Sequence, residues 1–267
     1  MSTIKPLILI DGSSYLHRAY HALHNLTTAS GQPTGAIYGV INMIKKLLAE
    51  YNPEYVAIVF DAKGKNFRHA LYPEYKATRP PMAEELKSQI EPLHQIIDAM
   101  GLKLLAIEGV EADDVIGTLA REASKHNLPV VISTGDKDLA QLVDQNISLV
   151  NTMTNTKLDI AGVGQKFGVK PAQIVDYLSL VGDTSDNVKG VPMVGPKTAV
   201  KLLTEYGSLD NLIQHADKIT GKIGENLRAS LARLPLIKKL VTIKDDVALP
   251  FKPHDLARHA PKQEKLA

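Results

Sequence analysis

Nine acidic residues are spaced so that a chemistry can be read from them. Asp11 closes the apolar run PLILID (6–11), and Asp61 closes YVAIVFD (55–61). Glu111, Asp113 and Asp114 follow LKLLAIE (102–108) after a two-residue GV turn, and Asp136 and Asp138 follow PVVIST (129–134) in TGDKD. Four parallel strands would bring these seven acids to one carboxyl edge, where doubly wound sheets bind ligands. Taken singly, Asp114 or Asp138 reads first as a helix N-cap. Four successive strands that each end in acid are not a capping pattern. Asp183 and Asp186 in VGDTSDN stand three apart, the spacing of one helical turn, and complete the set from later in the chain. So many like charges require protons or cations. Hard oxygen donors without His or Cys select Mg²⁺ or Mn²⁺. Two such ions about 3.5–4 Å apart serve phosphodiester hydrolysis, one activating water and both stabilising the attacking and leaving oxygens.

The basic residues fall into two groups. Residues 62–81 (AKGKNFRHALYPEYKATRPP) carry Lys63, Lys65, Arg68, Lys76 and Arg79 against Glu74, interleaved with Phe67, Tyr72 and Tyr75. Cations between aromatics suit a single strand, whose bases stack and whose phosphates pair. A solvated loop pinned by its aromatics is the alternative. The second group surrounds GVPMVGPKTAVKLL (190–203), where Pro196 between Gly195 and Lys197 breaks the Walker pattern. The better reading is a helix-hairpin-helix, its second helix starting near Pro196. Its backbone amides would meet phosphates without reading sequence; a plain αα-hairpin is the alternative. Residues 187–239 hold nine Lys/Arg against four Asp/Glu. Arg18, Tyr15 and Tyr20 lie just after Asp11, and Tyr20 either stacks on a base or packs. His17, His21 and His24 have helical spacing amid Tyr, Ala and Leu, and read as a packed or surface face.

The elements that must position these residues alternate. The four apolar runs read as strands, separated by amphipathic helices over 34–51, 82–100 and 113–126, with another helix from about Lys137. This order predicts a parallel sheet covered on both faces. From about Leu158 strands are expected to stop, giving way to short helices broken by Gly and Pro. The expected division is an α/β domain over 1–157 and a helical region over 158–267. The tail after Val247 shows no clear element.

Composition narrows the classes. The chain has 267 residues, 31 Lys+Arg, 29 Asp+Glu and no Cys. Disulfides, thiol nucleophiles and thiolate metal sites are excluded, and a reducing cytoplasmic setting is the expectation. No apolar run approaches the roughly 20 residues of a membrane helix. The net charge of +2 conceals segregation: apart from the nine acids, 31 basic residues face 20 acidic ones, a surplus of 11.

Together ILIDGSSYLHRAYHA, VFDAKGKNFRH, EYKATRPP, GVEADDVIGTLA, STGDKDLAQLV and GDTSDNVKGVPMVGPKTA resemble the 5′ nuclease domain of bacterial DNA polymerase I, which is similar to flap endonucleases. The resemblance runs from about Pro6 to about Leu256. It implies a PIN-like α/β parallel-sheet nuclease fold with a helical arch over about 62–90. It also implies a C-terminal helix-hairpin-helix (helix-three-turn-helix) region, the hairpin itself at about 186–207. The implied activity is Mg²⁺-dependent removal of 5′ flaps and RNA primers from nicked, gapped or branched DNA. All nine acids fill family positions of the metal site. Arg18, Lys76 and Arg79 match positions that engage the scissile phosphate. Tyr20, Arg68, Tyr72, Tyr75, Lys189, Gly190, Val191, Gly195, Lys197, Thr198 and Lys201 are the expected DNA contacts. K⁺ at the hairpin and a monomeric state are further expectations. No polymerase region follows, so an excised domain is favoured over a free-standing nuclease.

Overall fold

The run Leu7–Asp11 is strand β1, buried along its whole length. The computed structural model describes residues 5–266. After β1 come α1 (Gly12–Ala22), α2 (Gly35–Tyr51), β2 (Val56–Val59), α3 (Phe67–Leu71), α4 (Glu84–Ala99), β3 (Lys103–Leu105), α5 (Ala112–Lys125), β4 (Val130–Ser133), β5 (Ile147–Asn151) and β6 (Thr156–Leu158). They form one six-stranded sheet of order β3-β2-β1-β4-β5-β6. The first five strands are parallel and β6 runs antiparallel on the edge. Alternate side chains of β1 feed two cores. Ile8 and Ile10 pack with α1, α2 and α4, whereas Leu7 and Leu9 pack with α5 and later helices. A strand buried on both faces must be apolar throughout, which is why β1, β2 and β4 read so clearly.

The later helices are α6 (Ile160–Phe167), α7 (Ile174–Val181), α8 (Pro196–Tyr206), α9 (Leu209–Gln214), α10 (Gly221–Ser230), α11 (Leu234–Val241) and α12 (Gln263–Leu266). Three expectations need correction. The helix from Lys137 is only a 3₁₀ turn, Asp138–Leu142. Strands do not stop at Leu158: β7 (Gly182–Asp183) and β8 (Val188–Lys189) pair antiparallel between α7 and α8. Asp183 and Asp186 therefore sit on a β-hairpin, not on a helical turn. Gly182 and Gly190 approach so closely that a Cβ on either would overlap backbone of the other strand or of α7, which fixes the hairpin against the preceding helix. The tail, finally, is docked. The amides of Arg258, His259 and Lys262 donate to the carbonyls of Glu54, Gly101 and Ala99 at 2.9, 2.9 and 2.7 Å. Among the described residues no helix is long and apolar enough to cross a membrane.

Candidate metal and phosphate site

Strand register builds the site. Ile10 pairs with Ser133 and Asp11 with Val59, so Thr134, the residue after β4, stands beside Asp11. Thr134 Oγ1 donates to Asp11 Oδ2 at 2.7 Å and accepts from Asp136 N at 2.9 Å. Asp11 also caps α1, accepting from Ser14 N at 2.9 Å. Asp61 accepts from Ala112 N at 2.9 Å, and its own amide donates to Ser13 Oγ at 2.9 Å. Asp136 Oδ1 accepts from Asp138 N at 2.9 Å.

These groups line a cavity of about 420 Å³, with Asp11, Asp61, Glu111, Asp113, Asp136 and Asp183 on its walls and His17, Arg18, Lys76, Arg79 and Lys137 among them. Acid from the hairpin thus faces acid from the sheet edge. Arg18 Nη2 donates to Gly135 O at 2.8 Å. Lys76 Nζ lies 2.5 Å from Glu111 Oε1 and 4.0 Å from Asp186 Oδ2. Arg79 Nη2 donates to Asp186 Oδ1 at 2.6 Å, and its Nε to Ser185 O at 3.1 Å. Lys137 Nζ lies 3.0 Å from Asp183 Oδ2, while Ser185 donates its amide and hydroxyl to Asp183 Oδ1 at 2.8 and 2.6 Å.

Burial and mutual repulsion load the acids. Burial pushes the Asp11 carboxyl up to about 7, against the Ser14 and Thr134 hydrogen bonds and with help from the charges of Asp136 and Asp61. Asp113 is raised by burial and by Asp136, Asp11 and Asp61. Asp138 is raised by burial and by Asp136 and Asp183. Asp183 goes the other way: burial would raise it, but Ser185 and Lys137 hold it below the usual carboxylate range. Lys76 stays charged despite burial because Glu111 and Asp186 face it. Burial and the Arg79 charge lower His17.

The donor set suits a hard divalent cation. Every wall acid offers oxygen, and the carboxyls of Asp11, Asp113 and Asp138 are pushed upward; Asp138 does not line the cavity, and its Oδ1 is buried with no hydrogen-bond partner among the described residues. Among the described residues, no three His, Cys, Asp or Glu side chains are arranged as they stand to hold one ion. Lys76, Arg79 and Lys137 occupy three of the carboxylates instead.

Several expected contacts lie elsewhere. Asp114, expected as a metal ligand, is fully buried and saturated. It takes both Arg68 Nη groups at 2.8 Å, Glu111 N at 2.9 Å and Lys244 N at 2.8 Å. Arg68, expected on DNA, is 2% exposed and therefore closed to it. Tyr75 is also 2% exposed, and its hydroxyl is bonded to Asp186 at 2.6 Å and Glu111 at 3.1 Å, so its ring cannot stack on a base. Tyr72 is half-buried, with its hydroxyl on Glu74. Val191 is buried, its amide bonded to Leu180 O at 2.8 Å. Gly190 has no room for a side chain, and Gly195 is the N-cap of α8 with Pro196 at its first position. Lys189, Lys197 and Lys201 are exposed and Tyr20 and Thr198 half-buried. The expected arch is a short helix and a chain of turns seated on the site: Lys76 N donates to Asp186 O at 2.9 Å, and Lys76 adopts φ +56°.

Other residues of the site gave weaker signals. Thr134 and Lys137 belong to STGDKD, whose two acids carry the stronger pattern. Asn66, whose Nδ2 donates to Glu111 Oε1 at 2.8 Å, lies among lysines in KGKNFRH. His17, read as part of a packed or surface face, is exposed and lines the cavity.

Comparisons with known proteins divide the chain between residues 168 and 169, eleven residues later than the expected boundary. Residues 6–168 match the family described as 5′-3′ exonuclease, N-terminal resolvase-like domain, and residues 169–264 match 5′-3′ exonuclease, C-terminal SAM fold. DNA polymerase I of Pseudomonas aeruginosa is 52% identical over 98% of this chain and 30% of its own length. The 5′-3′ exonuclease of Aquifex aeolicus is 40% identical over 98% of this chain and 90% of its own. The chain thus spans about a third of the length of the polymerases it matches. A T5 5′-exonuclease structure with bound zinc superposes with TM-score 0.74 at 24% identity, covering 89% of each chain, a likeness of fold.

Proposed function

The chain belongs to the 5′-3′ exonuclease family, and from that membership we propose that it is a structure-specific 5′ nuclease acting on flap, nicked or gapped DNA and on RNA primers paired to DNA. One observation carries this reading: acids from four sheet-edge segments and from the β7–β8 hairpin face one cavity that also holds Arg18, Lys76 and Arg79. Such a cavity suits a phosphodiester, whose anionic oxygens need cations and whose hydrolysis needs an activated water. The units that meet substrate are the α/β body, which the N-terminal family model carries to residue 168, and the helical region that follows it.

Asp11, Asp61, Glu111, Asp113, Asp136 and Asp138, with Asp183 and Asp186 from the hairpin, would hold divalent ions, Mg²⁺ or Mn²⁺. Bound there, the ions would supply a nucleophilic water at neutral pH and offset negative charge on the reacting phosphate. The protein supplies the rest. Water adds to phosphorus in line, and the P–O bond to the leaving strand breaks. Lys76, Arg79 and Arg18 neutralise charge that develops on the phosphate oxygens. Thr134 keeps Asp11 and the Asp136 backbone in one arrangement. Lys76 and Arg79 pair with Glu111 and Asp186, so binding of cation and phosphate together exchanges partners without leaving either charge alone. Lys189, Lys197, Lys201 and the first-turn amides of α8 hold duplex phosphates, where K⁺ would also sit. The preference for DNA over a small phosphoester rests on this second, exposed basic surface.

The test is one assay with three substrates and Mg²⁺: 5′-flap DNA, single-stranded RNA and a small phosphomonoester. Cleavage of the flap, lost in Asp11→Ala while DNA binding persists, is expected. Preferential hydrolysis of the monoester, or full activity of Asp11→Ala, would reject the reading.

A further inference from the structure

Arg68 has no hydrogen-bond donor left over. Its Nε donates to Leu240 O at 2.9 Å, Nη2 to Thr242 O at 2.9 Å and to Asp114 Oδ1 at 2.8 Å, and Nη1 to Asp114 Oδ2 at 2.8 Å and Glu111 Oε2 at 3.3 Å. Those five bonds use all five N–H groups of a guanidinium. Asp114 is equally complete, since the Glu111 and Lys244 amides take its remaining lone pairs. The pair is neutral in sum and sealed from solvent, with side chains 3% and 0% exposed.

Three distant stretches meet at this node: α3 at the start of the 66–76 segment, the 111–114 turn that bears Glu111, and residues 240–244 at the end of α11. The same 66–76 segment supplies the other donors to Glu111, namely Asn66 and Lys76 on Oε1 and Tyr75 on Oε2. The side-chain donors to the Glu111 carboxylate thus come from the 66–76 segment, which the Arg68 fork ties to the end of α11 at one end while Asp186 and Asn187 hold its other end at Lys76 N and Glu74 O.

We propose that Arg68 is a positioning residue for phosphodiester cleavage: through Asp114 it locks Glu111 and the Lys76-bearing segment to the end of α11. The proposal rests on the nuclease reading above. Its chemistry is specific to arginine. A lysine keeps the buried charge but has three donors on one nitrogen, and cannot span Asp114, Glu111 and two carbonyls in one plane.

The experiment compares the full chain with Arg68→Lys and Asp114→Asn, each assayed well below its own Tm. Measured are flap-DNA affinity in chelator, single-turnover cleavage at saturating flap DNA with Mg²⁺, and amide hydrogen exchange. Arg68→Lys is expected to bind flap DNA as the unaltered chain does. Its cleavage rate should fall on the order of 10²-fold, the scale of a small misplacement of reacting groups. Exchange should rise together in 66–76, 111–114 and 240–244, and Asp114→Asn should behave alike. A lowered Tm with an unchanged rate overturns the proposal, because the node is then structural only. So does weakened DNA binding that accounts for the whole rate loss, or failure of both variants to fold. An unaltered chain that cleaves no flap DNA sinks the nuclease reading instead.

Discussion

Arg18 and Gly135 share one small space at the sheet edge: Arg18 Nη2 donates to the Gly135 carbonyl at 2.8 Å, and a Cβ on Gly135 would fall inside the guanidinium. The glycine between Thr134 and Asp136 is thus the seat of a cation, and its lack of a side chain decides where that cation points.

Gly135→Ala should therefore act as a displacement of Arg18. Its single-turnover cleavage should drop by roughly 10²-fold, the scale of losing one aimed donor to a developing charge. Arg18→Ala should drop alike, and the double variant should be no slower than either single one. Independent, multiplying losses in the double variant would separate the two residues and reject the coupling.

The Asp11 carboxyl leads to a pH prediction. The folded chain holds this proton up to about 7, whereas the ordinary value is 3.8. Between those values the folded state binds more protons than the unfolded one, so stability falls as pH rises. In chelator, Tm should decline across that window and decline less in Asp11→Asn. Above pH 7 the variant should be the more stable, by roughly 2–4 °C for each kcal/mol of burial and repulsion relieved. Added Mg²⁺ should raise the Tm of the unaltered chain more than that of the variant. Identical pH profiles by thermal denaturation would remove Asp11 from the buried, repelling set.

How far these features were legible in the sequence follows from the distance over which each is decided. The strand runs ending at Asp11 and Asp61 are local patterns, and a strand buried on both faces has to be apolar throughout. That acids gather at one edge follows from parallel pairing alone. The division of labour among the acids does not. Asp114 and Asp113 are neighbours in one motif, yet Asp114 is turned inward because Arg68 and the Lys244 amide meet it, and neither partner is near it in sequence. Tyr75 looks like a stacking residue until Asp186, 111 positions away, takes its hydroxyl. The β7–β8 hairpin has two residues per strand, too few for any periodicity to register.

The docked tail gives a stability prediction that leaves the site alone. Gly101 has φ +73°, and its carbonyl accepts from His259 N at 2.9 Å. A Cβ there would overlap the His259 carbonyl. Gly101→Ala should destabilise the fold by about 1–3 kcal/mol through backbone strain and loss of the tail's seat. Denaturant unfolding measures this. The cleavage rate well below Tm should not change, since the tail meets the start of β3 while the acids stand at the opposite strand ends. A slower rate at unchanged stability would place the tail in the reaction.

Lys197 tests the basic surface at the start of α8 separately from the acids. It follows Pro196 in the first turn of α8, is exposed, and no side chain caps that turn. The free first-turn amides and the ammonium can then meet the same phosphate. Neutralising one phosphate releases about one counterion, so the log of affinity falls linearly with the log of salt concentration. Lys197→Ala should weaken flap-DNA binding in chelator and reduce the salt slope by about 1. The single-turnover rate at saturating DNA should stay that of the unaltered chain, because Lys197 is not among the residues lining the acid cavity. Weaker binding with an unchanged salt slope would mean that Lys197 acts by shape and not as a phosphate contact. A lowered saturating rate would mean that this surface sets the position of the cleaved bond.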